Sequence, residues 1–255
     1  MPSRPLYCFL AVVLLLLSAP GAKAAETAGA PALDPKVGLN AYAAVVDQEF
    51  ERARAGLLVL AATENAAAGD WDRIKGPLAV FAGLTPINAA VWFVRPDGSY
   101  FTVESGLTDQ SLKDRDYFPA LMAGQEVNGA LVVSKSTGRR SAVVAVPVKA
   151  NGRVVGAIGV SIAMETVGAL VDEKIGLPKS VVFYALDRRG KTALHRDPKR
   201  LLEFAAELGS PSLADAVKEM LAKSEGEVRY AFEGAERTAI FRRSTVTGWV
   251  YALRW

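Results

Sequence analysis

The hydrophobic and polar positions change their period near residue 89. Upstream, apolar residues recur at spacings of three and four from Tyr42 to Ala61, which is the pattern of an amphipathic helix. Asp34-Pro35 offers an N-cap followed by a proline at the first helical position. These signals predict a long helix of about nine turns that begins at Pro35 and ends near Gly69. A second helix is predicted at residues 71–82, interrupted at residues 76–77 by Gly-Pro.

Downstream, β-branched and aromatic residues predict strands. Residues 90–94 and 100–103 flank Pro-Asp-Gly at 96–98 and therefore predict a hairpin. A polar loop follows, and Asp114 is predicted to cap a short helix that runs to Met122. Three more strands are predicted at 130–133, 141–148 and 154–162.

The second half of the chain repeats this order about ninety residues later. A hairpin is predicted at 181–186 and 191–194, helical stretches near 201–208 and 213–222, and three closing strands at 228–232, 237–242 and 249–253. Residues 163–175 predict a helical connector. The expected fold is α+β, with a long N-terminal helix beside two antiparallel-sheet modules.

The N-terminus has the features of a secretory signal peptide. Arg4 precedes an apolar run at residues 6–17, and small residues lead to Ala24. That run is shorter than the ~20 apolar residues that a membrane-spanning helix needs. We expect cleavage after Ala24, a flexible leader at 25–33, and a soluble periplasmic or secreted protein. The alternative is an uncleaved anchor that tethers the protein at its N-terminus.

Composition excludes several classes of function. The one cysteine, Cys8, lies in the predicted signal, so the mature chain offers neither a disulfide nor a thiolate metal site. Removal of Arg4 and Lys23 lowers the formal net charge from +3 to +1, and no Lys/Arg run provides the basic stripe of a nucleic-acid-binding protein. A single histidine, no Gly-x-Ser-x-Gly and no glycine-rich phosphate loop argue against a catalytic triad, a zinc site and a nucleotide cofactor. We therefore expect no enzyme, metal or cofactor.

Several motifs resemble those of double Cache sensor domains. Asp-Arg-Asp-Tyr-Phe at 114–118, Ser-Thr-Gly-Arg at 136–139 and the strands at 144–148 and 152–156 are similar to the membrane-distal module. The second half, with Tyr-Ala-Leu-Asp at 184–187, His195 and Thr-Gly-Trp-Val at 247–250, is similar to the membrane-proximal module.

The resemblance implies two PAS-like sheets on a long helix, extracytoplasmic sensing, and a small-molecule pocket in the first module. The expected division is signal 1–24, leader 25–33, helices 34–82, first module 83–162, connector 163–178 and second module 179–255.

The resemblance assigns Arg115 and Tyr117 to the ligand site. A guanidinium binds a carboxylate with two parallel hydrogen bonds, so the ligand is expected to carry a carboxylate. The alternative is that Arg115 pairs with Asp114 or Asp116 and only fixes the start of the helix. Ser161 stands where the amino-acid-binding branch of the family has an aspartate. A buried ammonium group without a counter-charge is costly, so a small organic acid fits better than an amino acid.

Five further residues are candidates for the same pocket. Lys135 and Ser136 precede a Thr-Gly turn and could add donors at its rim, or they are solvated turn residues. Trp92, Tyr100 and Thr102 lie on the first hairpin and line the pocket floor, or they belong to the core. Tyr100 and Thr102 share one face of their strand, so we expect them to enter or leave the pocket together.

The expected function is binding of a small organic acid and signalling, as in chemotaxis receptors, through a separate membrane receptor or kinase, since the chain ends directly after its last strand. The long helix is the expected homodimer contact. His195 is interpreted as a strand end. The alternatives are a secreted hydrolase that uses a pair of carboxylates and a partner-binding protein with an empty pocket.

Overall fold

The computed structural model describes residues 34–255. The predicted signal peptide and leader lie outside these residues. The described part is a mixed α+β fold with helices at the N-terminus and two antiparallel sheets, which confirms the predicted fold class.

The first helix, α1, spans Pro35–Ala61. Asp34 caps it as predicted, because the Asp34 carboxylate accepts a hydrogen bond from the amide of Lys36 at 2.8 Å. The predicted end near Gly69 is wrong: the hydroxyl of Thr63 caps a separate short helix, α2, at Glu64–Ala67. A new N-cap so close to Ala61 ends the first helix two turns early.

The next helix, α3, spans Trp71–Gly83 without a break. The predicted interruption at Gly76-Pro77 is therefore wrong. Burial of Ile74, Leu78 and Phe81 along one face stabilises the helix through packing, which outweighs the loss of one backbone hydrogen bond at the proline.

The first sheet has six strands. They are β1 (Asn88–Val94), β2 (Ser99–Thr102), β3 (Gly106–Ser111), β4 (Val127–Val133), β5 (Arg140–Ala150) and β6 (Arg153–Ala163), in the spatial order β3-β2-β1-β6-β5-β4. A short helix, α4 (Phe118–Met122), precedes β4. Strand β3 corrects the predicted polar loop; its side chains are largely exposed, so an edge strand of this kind has no alternating hydrophobic pattern. Asp114 does not cap α4, which starts after Tyr117 without a side-chain cap.

The second sheet follows helix α5 (Met164–Ile175). Its strands are β7 (Val182–Leu186), β8 (Thr192–His195), β9 (Glu225–Phe232), β10 (Ala235–Arg243) and β11 (Val250–Arg254), in the order β8-β7-β11-β10-β9. Helix α6 (Pro211–Ala222) lies between β8 and β9. The helix predicted at 201–208 is wrong: two 3-10 turns, Pro198–Arg200 and Ala205–Glu207, take its place, and Leu202 between them has a left-handed φ of 70° that no α-helix accommodates.

The two sheets share one strand order. β2-β1-β6-β5-β4 in the first sheet corresponds to β8-β7-β11-β10-β9 in the second, and β3 is an added edge strand. The predicted duplication is thus present in the topology. The residue numbers at which we divided the chain into modules stay a prediction.

Each sheet has an inner and an outer face. The inner faces pack on α1 and α5 in one continuous core that includes Tyr42, Phe50, Phe93, Val144, Val167, Phe183 and Tyr251. The outer face of the first sheet packs on α4, and that of the second packs on α6. Within residues 34–255, no helix combines the length and the hydropathy that a membrane crossing requires.

The two sheets meet at β4 and the turn before β11. The indole Nε1 of Trp249 donates to the carbonyl of Gly129 at 3.2 Å, and the Asn128 side chain donates to the carbonyl of Val246 at 3.0 Å. Gly129 has φ +92°, and a Cβ there would lie 3.1 Å from the indole nitrogen. A side chain at residue 129 would therefore need both a strained positive φ and a shift of the indole, which favours glycine at this position.

Candidate functional site

A small cavity lies on the outer face of the first sheet. Its volume is about 10 Å³, which is close to the room that one water molecule needs. Its lining includes seven of the eight predicted site residues: Trp92, Tyr100, Arg115, Tyr117, Lys135, Ser136 and Ser161.

Arg115 lies in the turn that precedes α4. Its Nη2 donates to the carbonyl of Val133 at 2.7 Å, whereas its Nε is buried and has no hydrogen-bond partner. Arg115 does not pair with either neighbouring aspartate: Asp114 binds Lys135, and Asp116 lies 3.9 Å from Arg189. The guanidinium of this cavity-lining residue thus keeps a buried donor without a hydrogen-bond partner among the described residues.

Two tyrosines stand beside Arg115. The hydroxyl of Tyr100, on β2, is buried and makes no hydrogen bond among residues 34–255. Tyr117 is partly buried, and this burial raises its pKa well above the usual range, so the phenol stays protonated at neutral pH. Both groups can donate a hydrogen bond to an acceptor in the cavity.

Trp92 on β1 and Ser161 on β6 are diagonal neighbours on adjacent strands. The indole Nε1 of Trp92 donates to the Ser161 hydroxyl over 3.4 Å, which is long for a hydrogen bond of this type. The indole fits only because its cross-strand neighbour is Gly159, where any Cβ would overlap the ring. The serine and the indole nitrogen are consequently only weakly satisfied.

Lys135 and Ser136 lie at the rim. The ammonium group of Lys135 donates to the Asp114 carboxylate and to the carbonyl of Ser111, both at 2.6 Å. The hydrogen bond from Lys135 to the carboxylate lowers the pKa of Asp114. Ser136 is exposed, and its hydroxyl lies 3.4 Å from that of Ser134. The lysine is therefore held across the cavity mouth by an acid that the sequence analysis had assigned to a helix cap.

Thr102 is the one predicted site residue that does not line this cavity. It is buried opposite Trp92 on the same face as Tyr100. Its hydroxyl accepts from the amide of Ser105 at 3.1 Å and so fixes the turn that leads to β3. The expectation that Tyr100 and Thr102 enter the pocket together is wrong for this reason.

Three lining residues were missed: Leu112, Val132 and Ser134. Val132 and Ser134 follow Ala130 at alternate positions along β4 and its extension, so the two-residue period of a strand could have placed them on one face. No comparable signal marks Leu112.

A larger cleft of about 560 Å³ adjoins this cavity between the two modules. Arg115, Tyr117 and Val132 line both spaces, so these three side chains form the wall between them. Within residues 34–255, no cluster of three or more His, Cys, Asp or Glu residues is arranged to hold a metal ion.

Solved structures with the same fold are sensory domains of receptors. An extracellular ligand binding receptor from Desulfohalobium retbaense DSM5692 matches with a TM-score of 0.69 and 14% identity, over 87% of this chain and 40% of that one. The ligand-binding domain of the Pseudomonas aeruginosa PAO1 chemoreceptor PctB in complex with L-Gln matches with a TM-score of 0.68 and 15% identity, over 86% and 88% of the two chains. The sensory domain of the Campylobacter jejuni chemoreceptor Tlp3 with isoleucine bound matches with a TM-score of 0.63 and 14% identity, over 87% and 90%.

At such low sequence identities, these structural similarities show only that the fold is shared. This chain spans less than half of the length of the Desulfohalobium receptor. A comparison with curated protein sequences finds no match. The sequence itself matches the family described as Cache domain over residues 53–254, which is most of the chain. The chain therefore belongs to the Cache domain family, in its double form.

Proposed function

We propose that this chain is an extracytoplasmic sensor module whose first sheet binds a small organic acid through its carboxylate. The observation that carries the proposal is a pair of buried donors without partners, the Nε of Arg115 and the hydroxyl of Tyr100. Both belong to residues that line the same cavity.

Unpartnered buried donors are rare because each costs roughly 1–3 kcal/mol of desolvation that no hydrogen bond offsets. A carboxylate accepts from several donors at once and carries the charge that complements a guanidinium. It would therefore satisfy Arg115 and Tyr100 together. A ligand without an anionic group would leave the arginine charge uncompensated.

Relatives in this fold class were solved with amino acids bound. In this chain the position that would neutralise an ammonium group is Ser161, which is buried and whose hydroxyl accepts from the Trp92 indole over 3.4 Å. We therefore favour pyruvate-like, acetate-like or dicarboxylate ligands over amino acids.

Entry requires side chains to move, since the cavity holds little more than a water molecule. The wall of Arg115, Tyr117 and Val132 faces the larger cleft. The Arg115 side chain is partly exposed and held at one end by a backbone carbonyl. We propose that rotation of Arg115 and Tyr117 toward the cleft admits the acid.

The test is a thermal-shift screen of acetate, pyruvate, succinate and L-alanine against the wild type, Arg115→Gln and Arg153→Gln. Arg153 is exposed at the start of β6 and makes no ion pair among the described residues, so it is the matched control. An acid at a hundredfold its Kd should stabilise the wild type and the control by about 2.7 kcal/mol. Arg115→Gln should lose this gain.

If no acid shifts the wild-type melting curve, the carboxylate proposal fails and the alternative of a partner-binding protein with an empty pocket gains. A shift by L-alanine alone would make the ligand an amino acid. Turnover of ester, glycoside or peptide substrates that disappears in Arg115→Gln but not in Arg153→Gln would favour the hydrolase alternative.

We further propose that the loaded and empty states are passed to a separate membrane receptor or kinase, and that α1 forms a homodimer contact. Val37 and Val59 on α1 are 58% and 70% exposed. A second copy of α1 could cover both of these side chains.

A further inference from the structure

The second module contains a cavity of its own. It has a volume of about 300 Å³ and lies on the outer face of the second sheet, and this volume is within the range of small-molecule sites. Its apolar wall consists of Val182, Leu186, Ala205, Leu208, Leu213 and Phe232. The strands beneath it, β7, β8 and β11, occupy the places that β1, β2 and β6 have under the first cavity.

Two tyrosine hydroxyls of this wall lack a good partner. Tyr184 is buried, and its hydroxyl lies 3.5 Å from that of Tyr230 and 3.7 Å from the sulfur of Met220. A well-formed hydrogen bond between hydroxyls is about 2.7–2.8 Å long. Both phenols are therefore available as donors, and burial, which raises the pKa of each, keeps them protonated.

His195 supplies a third donor. The Nδ1 of its ring lies 2.9 Å from the amide nitrogen of Asp197 and 3.1 Å from the carbonyl oxygen of the same residue. Because the amide can only donate, the shorter contact favours the tautomer that carries its proton on Nε2. Burial lowers the pKa of His195 to about 4, so the ring is neutral at physiological pH. It can donate through Nε2 without adding a charge.

Three arginines line the cavity: Arg196, Arg200 and Arg254. Arg196 pairs with Asp172 at 2.8 Å and Arg200 with Glu233 at 2.6 Å, whereas Arg254 makes no ion pair among residues 34–255. The other lining acid, Asp197, caps the turn that begins at Pro198. Arg254 lines the same cavity as Tyr184, Tyr230 and His195. Its charge lowers the pKa of His195 further and partly opposes the rise that burial causes in the pKa of the two tyrosines.

From this arrangement we infer that the second module is a separate ligand site for a small monocarboxylate with an apolar body. The carboxylate is held by Arg254 with Tyr184, Tyr230 and the Nε2 of His195 as the surrounding donors. Its hydrocarbon part packs on the apolar wall. The two cavities share no lining residue, so this site can be tested independently of the function proposed for the first cavity.

The experiment is isothermal titration calorimetry of hexanoate and benzoate, with hexanol and benzyl alcohol as neutral probes of matched shape. The proteins are the wild type, Arg254→Gln, the double variant Tyr184→Phe with Tyr230→Phe, and Arg115→Gln. We expect the acids to bind the wild type and Arg115→Gln alike. The Arg254→Gln and double Tyr→Phe variants should each lose at least tenfold in affinity, and the alcohols should bind at least tenfold more weakly than the acids.

Three results would overturn the inference: no heat with either acid in the wild type, binding lost in Arg115→Gln but kept in Arg254→Gln, or alcohols that bind as tightly as acids. If Arg254→Gln does not fold, the double Tyr→Phe variant decides, since removal of two hydroxyls leaves ring packing unchanged. If no acid shifts the melting curve in the thermal-shift screen but the acids bind in this titration as expected, the organic-acid site of the first module is rejected and the site of the second module is supported.

Discussion

Two tyrosine hydroxyls, those of Tyr42 and Tyr100, are buried without a hydrogen-bond partner in the described residues. Tyr42 is packed in the core between the rings of Phe183 and Tyr251, with centroids 5.4 and 5.2 Å away. Tyr100 lines the first cavity. The same chemical defect therefore occurs once in the core and once at the candidate site.

Phenylalanine variants of these two tyrosines test whether an unsatisfied buried hydroxyl contributes to ligand binding. Tyr100→Phe and Tyr42→Phe each remove one unsatisfied hydroxyl, so both should keep or raise the free energy of unfolding without ligand, by up to about 1–2 kcal/mol. Only Tyr100→Phe should weaken binding of the organic acid, by roughly tenfold. Urea denaturation and calorimetric titration measure the two effects. Equal affinities in both variants would remove Tyr100 from the site.

His195 predicts a pH dependence of stability. Burial lowers its pKa from 6.5 to about 4 in the folded protein, an effect that Arg254 and Arg200 reinforce and Asp197 opposes. Between these two values the unfolded chain binds more protons than the folded one, so stability falls as the pH falls from about 6.5 to about 4. The loss is at most about 3 kcal/mol.

The variant His195→Asn keeps an acceptor near the amide of Asp197 but does not titrate. It should flatten this part of the profile, as measured by urea denaturation at pH 4.5, 5.5 and 7. A slope unchanged from the wild type would assign the pH dependence to other groups.

The sequence predicts the helices and strands that have a buried apolar face. It does not predict the elements that lack such a face. The apolar, β-branched runs of β1, β5 and β6 reflect their burial, and these strands were predicted to within about two residues. The helical spacing of α1 likewise predicted its start and its buried face, although not its end. Strand β3 and the 3-10 turns near Leu201 were missed because neither places a periodic row of apolar side chains in the core. Thr63 ends α1 through a local hydrogen bond that the apolar periodicity of the helix does not reveal.

The candidate sites divide in the same way. Arg115 and Tyr117 were indicated by a contiguous motif, and Trp92 and Tyr100 by their strand positions. The cavity of the second module is assembled from residues between Val182 and Arg254 that share no local motif. His195 was accordingly interpreted only as a strand end, because its neighbours Tyr184, Tyr230 and Arg254 come from other strands.

The contact of β4 with the turn before β11 is the element-scale feature most open to mutation. Gly129→Ala must accept a strained positive φ and a Cβ 3.1 Å from the Trp249 indole. Gly138→Ala has the same kind of strain, φ +67°, but open space around it. We expect a loss of roughly 1 kcal/mol for Gly138→Ala and about 1–3 kcal/mol more for Gly129→Ala. Equal losses by chemical denaturation would mean that the indole yields without cost.

At the scale of the whole molecule, the exposed side of α1 predicts self-association. Val59→Glu places a charge on this surface, where the valine is 70% exposed, and Val80→Glu on α3 is the matched control at 66%. Neither should alter monomer stability by more than about 0.5 kcal/mol. Val59→Glu should shift the mass in sedimentation velocity toward the monomer, and Val80→Glu should not. A wild type that stays monomeric with and without organic acid would contradict the dimer.

The continuous core also determines how the molecule melts. Tyr42, Phe50 and the neighbouring side chains of α1 pack against the inner faces of both sheets, so separating the sheets would expose the inner apolar face of each to water. We expect a single calorimetric transition in which the van't Hoff and calorimetric enthalpies agree. Two separate transitions would contradict this.

Because the two sheets unfold together, ligand binding in the two cavities is coupled through the free energy of unfolding, and this coupling requires no conformational change between the cavities. A ligand on the outer face of either sheet raises the free energy of global opening for the whole chain, so the slowest amide protons in the opposite sheet should exchange more slowly as well. Two chemically different signals would then add in one quantity, the lifetime of the folded state, even if no side chain between the sheets is displaced.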